Sequence, residues 1–251
     1  MTRETLVLVG RTDVAGVAER HAARLRDRGV VDAVETATYR TEPEPELRET
    51  LSGVSGDRTY VVPLCFAHTL ETLRDLPRAL GRLPVEVRYC DPIGESPGVT
   101  AAIRSRARAA SDADALLLVA LGNSRESHAR DAVRFHADRL RETFPEIRCA
   151  YLLQSPAVEC ARYTLSADHV VACPLFLADC DATRERIPEA LELDRGGIDY
   201  ADPLGDAPAV TDAIAAEIDR ERVLAESGTR SPGTDLVANA RPVATDGRGD
   251  E

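Results

Sequence analysis

Residues 91–103 read DPIGESPGVTAAI and residues 202–214 read DPLGDAPAVTDAI, with eight of thirteen positions identical at a spacing of 111. A repeat within 251 residues constrains the fold strongly, because whatever the first segment builds the second builds again. The correspondence continues along the chain. VVPLCFA at 61–67 answers ACPLFLA at 172–178 and sets Pro63 over Pro174, while Pro77 falls on Pro188 at the same spacing. LVLV at 6–9 answers LLLV at 116–119, and HAARLR from His21 answers HADRLR from His136 at a spacing of 115, so the second copy carries a small local insertion. Blocks matched in one order describe a duplicated domain.

Each copy alternates two periodicities. Residues 6–9 form a short apolar run with β-branched members, which is a strand signal. Residues 14–28 place Val14, Val17, Ala18, His21, Ala22 and Leu25 at helical spacing and stop before Gly29. Strand character returns at 31–38, 60–64 and 85–89. Helices are predicted at 45–51, where a proline opens the segment, and at 70–80 and 99–109. Strands alternating with helices imply a parallel sheet covered on both faces. The expected fold is therefore α/β: two tandem domains, 1–111 and 112–226, each a mainly parallel four-stranded sheet with helices on both faces. Residues 227–251, rich in Gly, Pro, Ser, Thr and Asp and without an apolar period, are expected to be a disordered tail.

Composition narrows the function. Asp and Glu total 43 against 31 basic residues, all of them Arg, for a net charge of -12. Counterion release from nucleic acid needs a positive surface, so a general nucleic-acid binder is excluded. The acidic, lysine-free composition is that of a salt-adapted protein, and its surface charge needs no partner to explain it. No apolar run approaches the roughly 18 residues of a membrane span, and the N-terminus lacks the basic region and cleavage site of a signal peptide, so a cytoplasmic location is expected. The six cysteines form no CxxC pair and are expected to be reduced. No GxGxxG, P-loop or nucleophile-elbow motif occurs.

In open α/β sheets, ligands bind beyond the carboxyl ends of the strands. The informative loops follow strand one (10–13 and 120–126) and strand three (67–75 and 178–186). Taken together, the opening LVLVG strand, the TEPEPEL segment, VVPLCFA, the DLP and IPEAL helices and the DPLG closing element resemble the CbiX/SirB group of class II tetrapyrrole chelatases, the sirohydrochlorin cobaltochelatases and ferrochelatases. The resemblance covers about residues 5–220. It implies two domains facing each other across a pseudo-twofold axis, with a tetrapyrrole in the cleft between them. The substrate metal would be divalent cobalt or iron, with no tightly bound cofactor.

Such proteins usually carry GHGS after strand one and a second histidine four residues beyond the alanine of PLFLA. Here those places read Gly10, Arg11, Thr12, Asp13 and Ala120, Leu121, Gly122, Asn123, then Glu71 and Ala182. Other side chains must then hold the ion and accept the two pyrrole protons, tasks suited to imidazole and carboxylate. His68 and Glu71, three residues apart on one helix face, are the expected catalytic pair. Asp179 and Asp181 would complete a metal site from the opposite domain. Arg11 and Arg125 are the expected contacts to the acidic side chains of the substrate. Acidic residues at helix starts also have a purely structural reading as caps and dipole partners. His21 and His136 are expected to be packing or surface residues, and His128 and His169 to carry no function. The function expected from the resemblance is insertion of cobalt or iron into a sirohydrochlorin-type tetrapyrrole in cobalamin or siroheme biosynthesis. The alternative is a noncatalytic paralogue that binds tetrapyrrole or metal, or associates with an active chelatase as a scaffold.

Overall fold

The structure is a computed structural model and describes residues 2–240. The first half runs β1 (Glu4–Arg11), α1 (Ala15–Asp27), β2 (Ala33–Tyr39), α2 (Pro43–Glu46), α3 (Arg48–Ser52), β3 (Arg58–Pro63), α4 (Leu76–Leu80), β4 (Glu86–Tyr89) and α5 (Pro97–Ala110). The second repeats it as β5 (Ala115–Ala120), α6 (His128–Leu140), β6 (Glu146–Tyr151), α7 (Val158–Ala161), β7 (Val170–Pro174), α8 (Ile187–Ala190), β8 (Ile198–Tyr200) and α9 (Pro208–Glu226). The two sheets have strand orders β2-β1-β3-β4 and β6-β5-β7-β8, and every strand pairing is parallel. The duplication extends to register: Val9 pairs with Pro63 as Val119 pairs with Pro174.

The central strands are buried along nearly their whole length because both faces are covered. Leu6 and Leu8 of β1 and Leu116 and Leu118 of β5 point into one continuous core that spans both halves. Val7 and Val9 enter a separate core on the outer face of the first sheet, and Leu117 and Val119 do the same in the second. The halves are thus fused through a shared apolar interior in which α5 packs against α9.

Two buried histidines pin this junction. His21 in α1 places Nε2 at 2.5 Å from the Gly205 carbonyl and Nδ1 at 2.8 Å from the Thr211 hydroxyl. His136 in α6 does the same to Gly94 (2.6 Å) and Thr100 (2.7 Å). A carbonyl only accepts, so each Nε2 carries the hydrogen and each Nδ1 accepts from threonine, which is the neutral imidazole. Gly94, Thr100, Gly205 and Thr211 all belong to the repeated DPxG–VT segment. Each copy of that segment receives a histidine from the other half.

Three expectations are corrected. The helix expected at 45–51 is two short helices, and the proline that opens it is Pro43. The helices leading into α4 and α8 begin with π-helical turns, Glu71–Asp75 and Ala182–Arg186. Part of the expected disordered tail is a helix, α10 (Pro232–Ala240), packed on β4 and α4. Pro232 opens it, and Thr234 Oγ1 accepts the Tyr89 N–H at 3.1 Å, capping the free edge of β4. The remainder of that tail, 241–251, lies outside the described residues.

Candidate functional site: the interdomain cleft

A cleft of about 390 Å³ opens where the carboxyl ends of β1, β3, β5 and β7 converge, and both halves line it. Its walls are largely apolar, with Leu64, Phe66, Leu121, Leu175, Phe176 and Leu177 supplying the broad faces. A larger hollow of about 480 Å³ between β4 and α10 is bounded by the edge of the first sheet and that helix. Of these two, the cleft is the one at the strand ends of both halves, where loops and helix starts present polar groups.

The polar groups of the cleft are concentrated on the first half. Arg11, the last residue of β1, places Nη1 at 2.5 Å from Glu71 Oε1 and donates from Nη2 to the Arg40 carbonyl at 2.9 Å. Glu71 opens the π-helical turn, and its other oxygen accepts from the Tyr39 hydroxyl at 3.0 Å. The Tyr39 phenol is held well above its usual range, first by burial and then by the Glu71 charge. The two positions at which the resembled family places histidines are thus joined by an ion pair.

His68 lies beside this pair on the cleft wall. Its Nδ1 is 3.2 Å from Thr72 Oγ1, its Nε2 is 3.7 Å from Asp91 Oδ1, and its ring meets the His128 ring edge-on at 5.7 Å between centroids. Asp91 is drawn below the usual carboxylate range by His68 and by Arg220, which reaches it from α9 at 2.8 Å. Burial pushes the Glu95 carboxyl up, and its Oε1 has no hydrogen-bond partner.

The second half is poorer in charge. Gly122 has φ +77°, and a β-carbon there would lie 2.8 Å from Gln154 Cγ, so the chain turns tightly into the cleft. Asn123 follows, held by Gln154 and Glu126. The loop after β7 presents Cys180 and Ala182 to the cleft. Asp179 and Asp181 flank Cys180 and share Arg184 at 3.6 and 3.3 Å, and the Asp181 side chain is 85% exposed. Arg125 is exposed just beyond Asn123.

The structure therefore brings Arg11, Glu71 and His68 to one wall, leaves Arg125 outside, and turns Asp179 and Asp181 away from the cleft lining. Among the described residues, no group of three or more His, Cys, Asp or Glu side chains is placed to hold a metal ion. The four-residue metal set expected from sequence is not assembled, because Glu71 is engaged by Arg11 and Tyr39 and the two aspartates are engaged by Arg184. Sequence reasoning missed Tyr39, Asp91, Glu95 and His128 as neighbours of the site. Tyr39 ends β2 beside Arg11 of β1 and could have been found from strand order; the others depend on how the halves meet.

Two parallel α/β halves fused by a shared core, with one cleft across their strand ends, define a bilobal ligand-binding or catalytic protein. The CbiX family model matches residues 8–110 and again 115–221. The chain belongs to the CbiX family. A probable sirohydrochlorin cobaltochelatase of Halobacterium salinarum is 28% identical over 204 residues, which is 68% of this chain and 69% of that protein. A Deinococcus radiodurans multi-domain protein, described as structurally similar to chelatases with two additional novel domains, superposes with a TM-score of 0.71 at 25% identity over 86% of this chain. The chain spans about half, 54%, of that protein's length. The sirohydrochlorin chelatase SirB of Bacillus subtilis in complex with cobalt gives a TM-score of 0.69 at 18% identity, covering 91% of this chain and 99% of SirB, a likeness of fold. No described helix is long and apolar enough to cross a membrane.

Proposed function

We propose that the protein inserts a divalent first-row metal, cobalt or iron, into a sirohydrochlorin-type tetrapyrrole held in the interdomain cleft. The observation that carries this reading is the cleft itself: apolar faces from both halves suit a flat macrocycle, and ionisable groups line one wall. Insertion exchanges two pyrrole N–H protons for one M²⁺, forming metal–nitrogen bonds and releasing two protons. In this reading His68 and Glu71 meet the metal and accept those protons. Arg11 pairs with an acidic side chain of the macrocycle, and Arg125, outside the cleft lining, meets another at its edge. Asp179 and Asp181 add negative charge near the opposite rim, where they would attract the cation rather than ligate it.

The test is to follow absorption of sirohydrochlorin with Co²⁺ or Fe²⁺, comparing the wild type with the His68→Ala/Glu71→Ala double variant. Acceleration lost in the variant supports the assignment. Tetrapyrrole binding without acceleration would instead make the protein a carrier or a scaffold for an active chelatase. Absence of both would leave the fold without this chemistry.

A further inference from the structure

We infer that Arg11 is a two-partner residue whose guanidinium leaves Glu71 for an acidic side chain of the incoming macrocycle, so that Glu71 is released to the cleft only once an anionic tetrapyrrole is in place. The inference rests on the tetrapyrrole reading above and specifies how that site selects its substrate and orders its ligands.

The geometry favours exchange over a fixed structural bridge. The Arg11 side chain is 50% exposed and that of Glu71 28%, so the pair is reached by solvent and contributes little stability of its own. Each partner has a second anchor that survives separation. Arg11 Nη2 stays on the Arg40 carbonyl, keeping the guanidinium at the rim, and Glu71 Oε2 stays on the Tyr39 hydroxyl. Only the Nη1 to Oε1 contact has to break, and both atoms belong to cleft-lining residues. A carboxylate arriving on the macrocycle replaces Glu71 charge for charge. As the apolar ring displaces water, each remaining ion pair strengthens. Glu71 then retains Tyr39 and presents Oε1 to the ring centre. The second half has no such pair, since its corresponding positions carry Leu121 and Ala182. The exchange therefore acts on one side of the macrocycle and distinguishes acidic tetrapyrroles from neutral ones.

The test is a binding cycle with metal-free uroporphyrin, an octacarboxylate, at the lowest salt at which the protein stays folded, since salt screens the competing pairs. Wild type, Glu71→Gln, Arg11→Gln and the double variant are titrated by absorbance. With the intramolecular competitor removed, Glu71→Gln should bind uroporphyrin about fivefold more tightly. Arg11→Gln should weaken binding, and more severely in the Glu71→Gln background than alone. In parallel, Co²⁺ retention without tetrapyrrole should rise in Arg11→Gln and fall back in the double variant. Uroporphyrin affinity in Glu71→Gln equal to or below that of the wild type would overturn the exchange while leaving tetrapyrrole binding intact. No binding by any of the four proteins would overturn both readings.

Discussion

His136 Nε2 lies 2.6 Å from the Gly94 carbonyl, a buried bond from the first helix of the second half to the closing loop of the first. Its counterpart from His21 to Gly205 runs the opposite way. Both rings are fully buried. Burial depresses the His136 pKa to about 4 and lowers that of His21, against the smaller opposing pull of the carbonyls. The unfolded chain therefore binds these protons more readily than the folded one. Stability is fully present above the unfolded histidine value near 6.5 and is lost as pH falls from there towards about 4. For His136 the depression corresponds to about 3 kcal/mol. Glu95 and Glu221, raised by burial, titrate in the opposite sense and offset part of this loss. Denaturant midpoints between pH 7 and 4.5 should fall in the wild type and fall less steeply in His136→Gln, which retains a terminal N–H donor. Equal slopes would locate the pH dependence elsewhere.

The threonines of the same contacts should be costly to remove. Thr100→Val and Thr211→Val keep shape but leave a buried Nδ1 without its donor, a loss of about 1–3 kcal/mol each. Urea unfolding would register it as a lowered midpoint at unchanged slope. A double variant close to the sum of the singles is expected, since the two contacts share no hydrogen-bonding partner.

How far the sequence could be read follows from range. The duplicated domains, the parallel sheets and the loops that meet at the cleft come from local periodicity and from prolines at equal spacing, and those survive into the register of Pro63 and Pro174. The Arg11–Glu71 pair is 60 residues apart in sequence and becomes visible only when β1 is placed between β2 and β3. The π-helical turns leave no apolar signature, because inserting one residue in a turn shifts the helix face without changing composition. Helix α10 was masked by its Gly, Ser, Thr and Asp content, residues that here serve as caps and close contacts rather than breakers.

That helix gives a third prediction. A β-carbon on Gly233 would lie 2.4 Å from the Tyr89 carbonyl oxygen, so Gly233→Val should lift α10 off the edge of β4. The Tyr89 hydroxyl in turn donates to the Thr72 carbonyl, within the π-helical turn that begins with Glu71. Hydrogen exchange should speed up at the Tyr89 amide and in the Glu71–Asp75 turn, with β5 and β7 of the second half unchanged. Protection retained at Tyr89 would show that α10 does not hold this edge.

Asp179 and Asp181 offer the sharpest contrast with His68, because all three lie in the paired loops after β3 and β7 yet only His68 lines the cleft. The aspartates are tied to Arg184 on an exposed rim. Asp179→Asn/Asp181→Asn should therefore leave the initial rate of Co²⁺ insertion into sirohydrochlorin within about twofold at moderate salt, as a rim charge influences encounter more than chemistry. His68→Ala removes an imidazole from the cleft wall and should cost about a hundredfold if it accepts a pyrrole proton. Exogenous imidazole should restore part of the rate in that variant, a rescue that a packing defect would not show. A loss in the aspartate pair as large as that in His68→Ala would instead mean that the β7 loop turns inward when substrate binds, making Asp179 and Asp181 metal ligands after all.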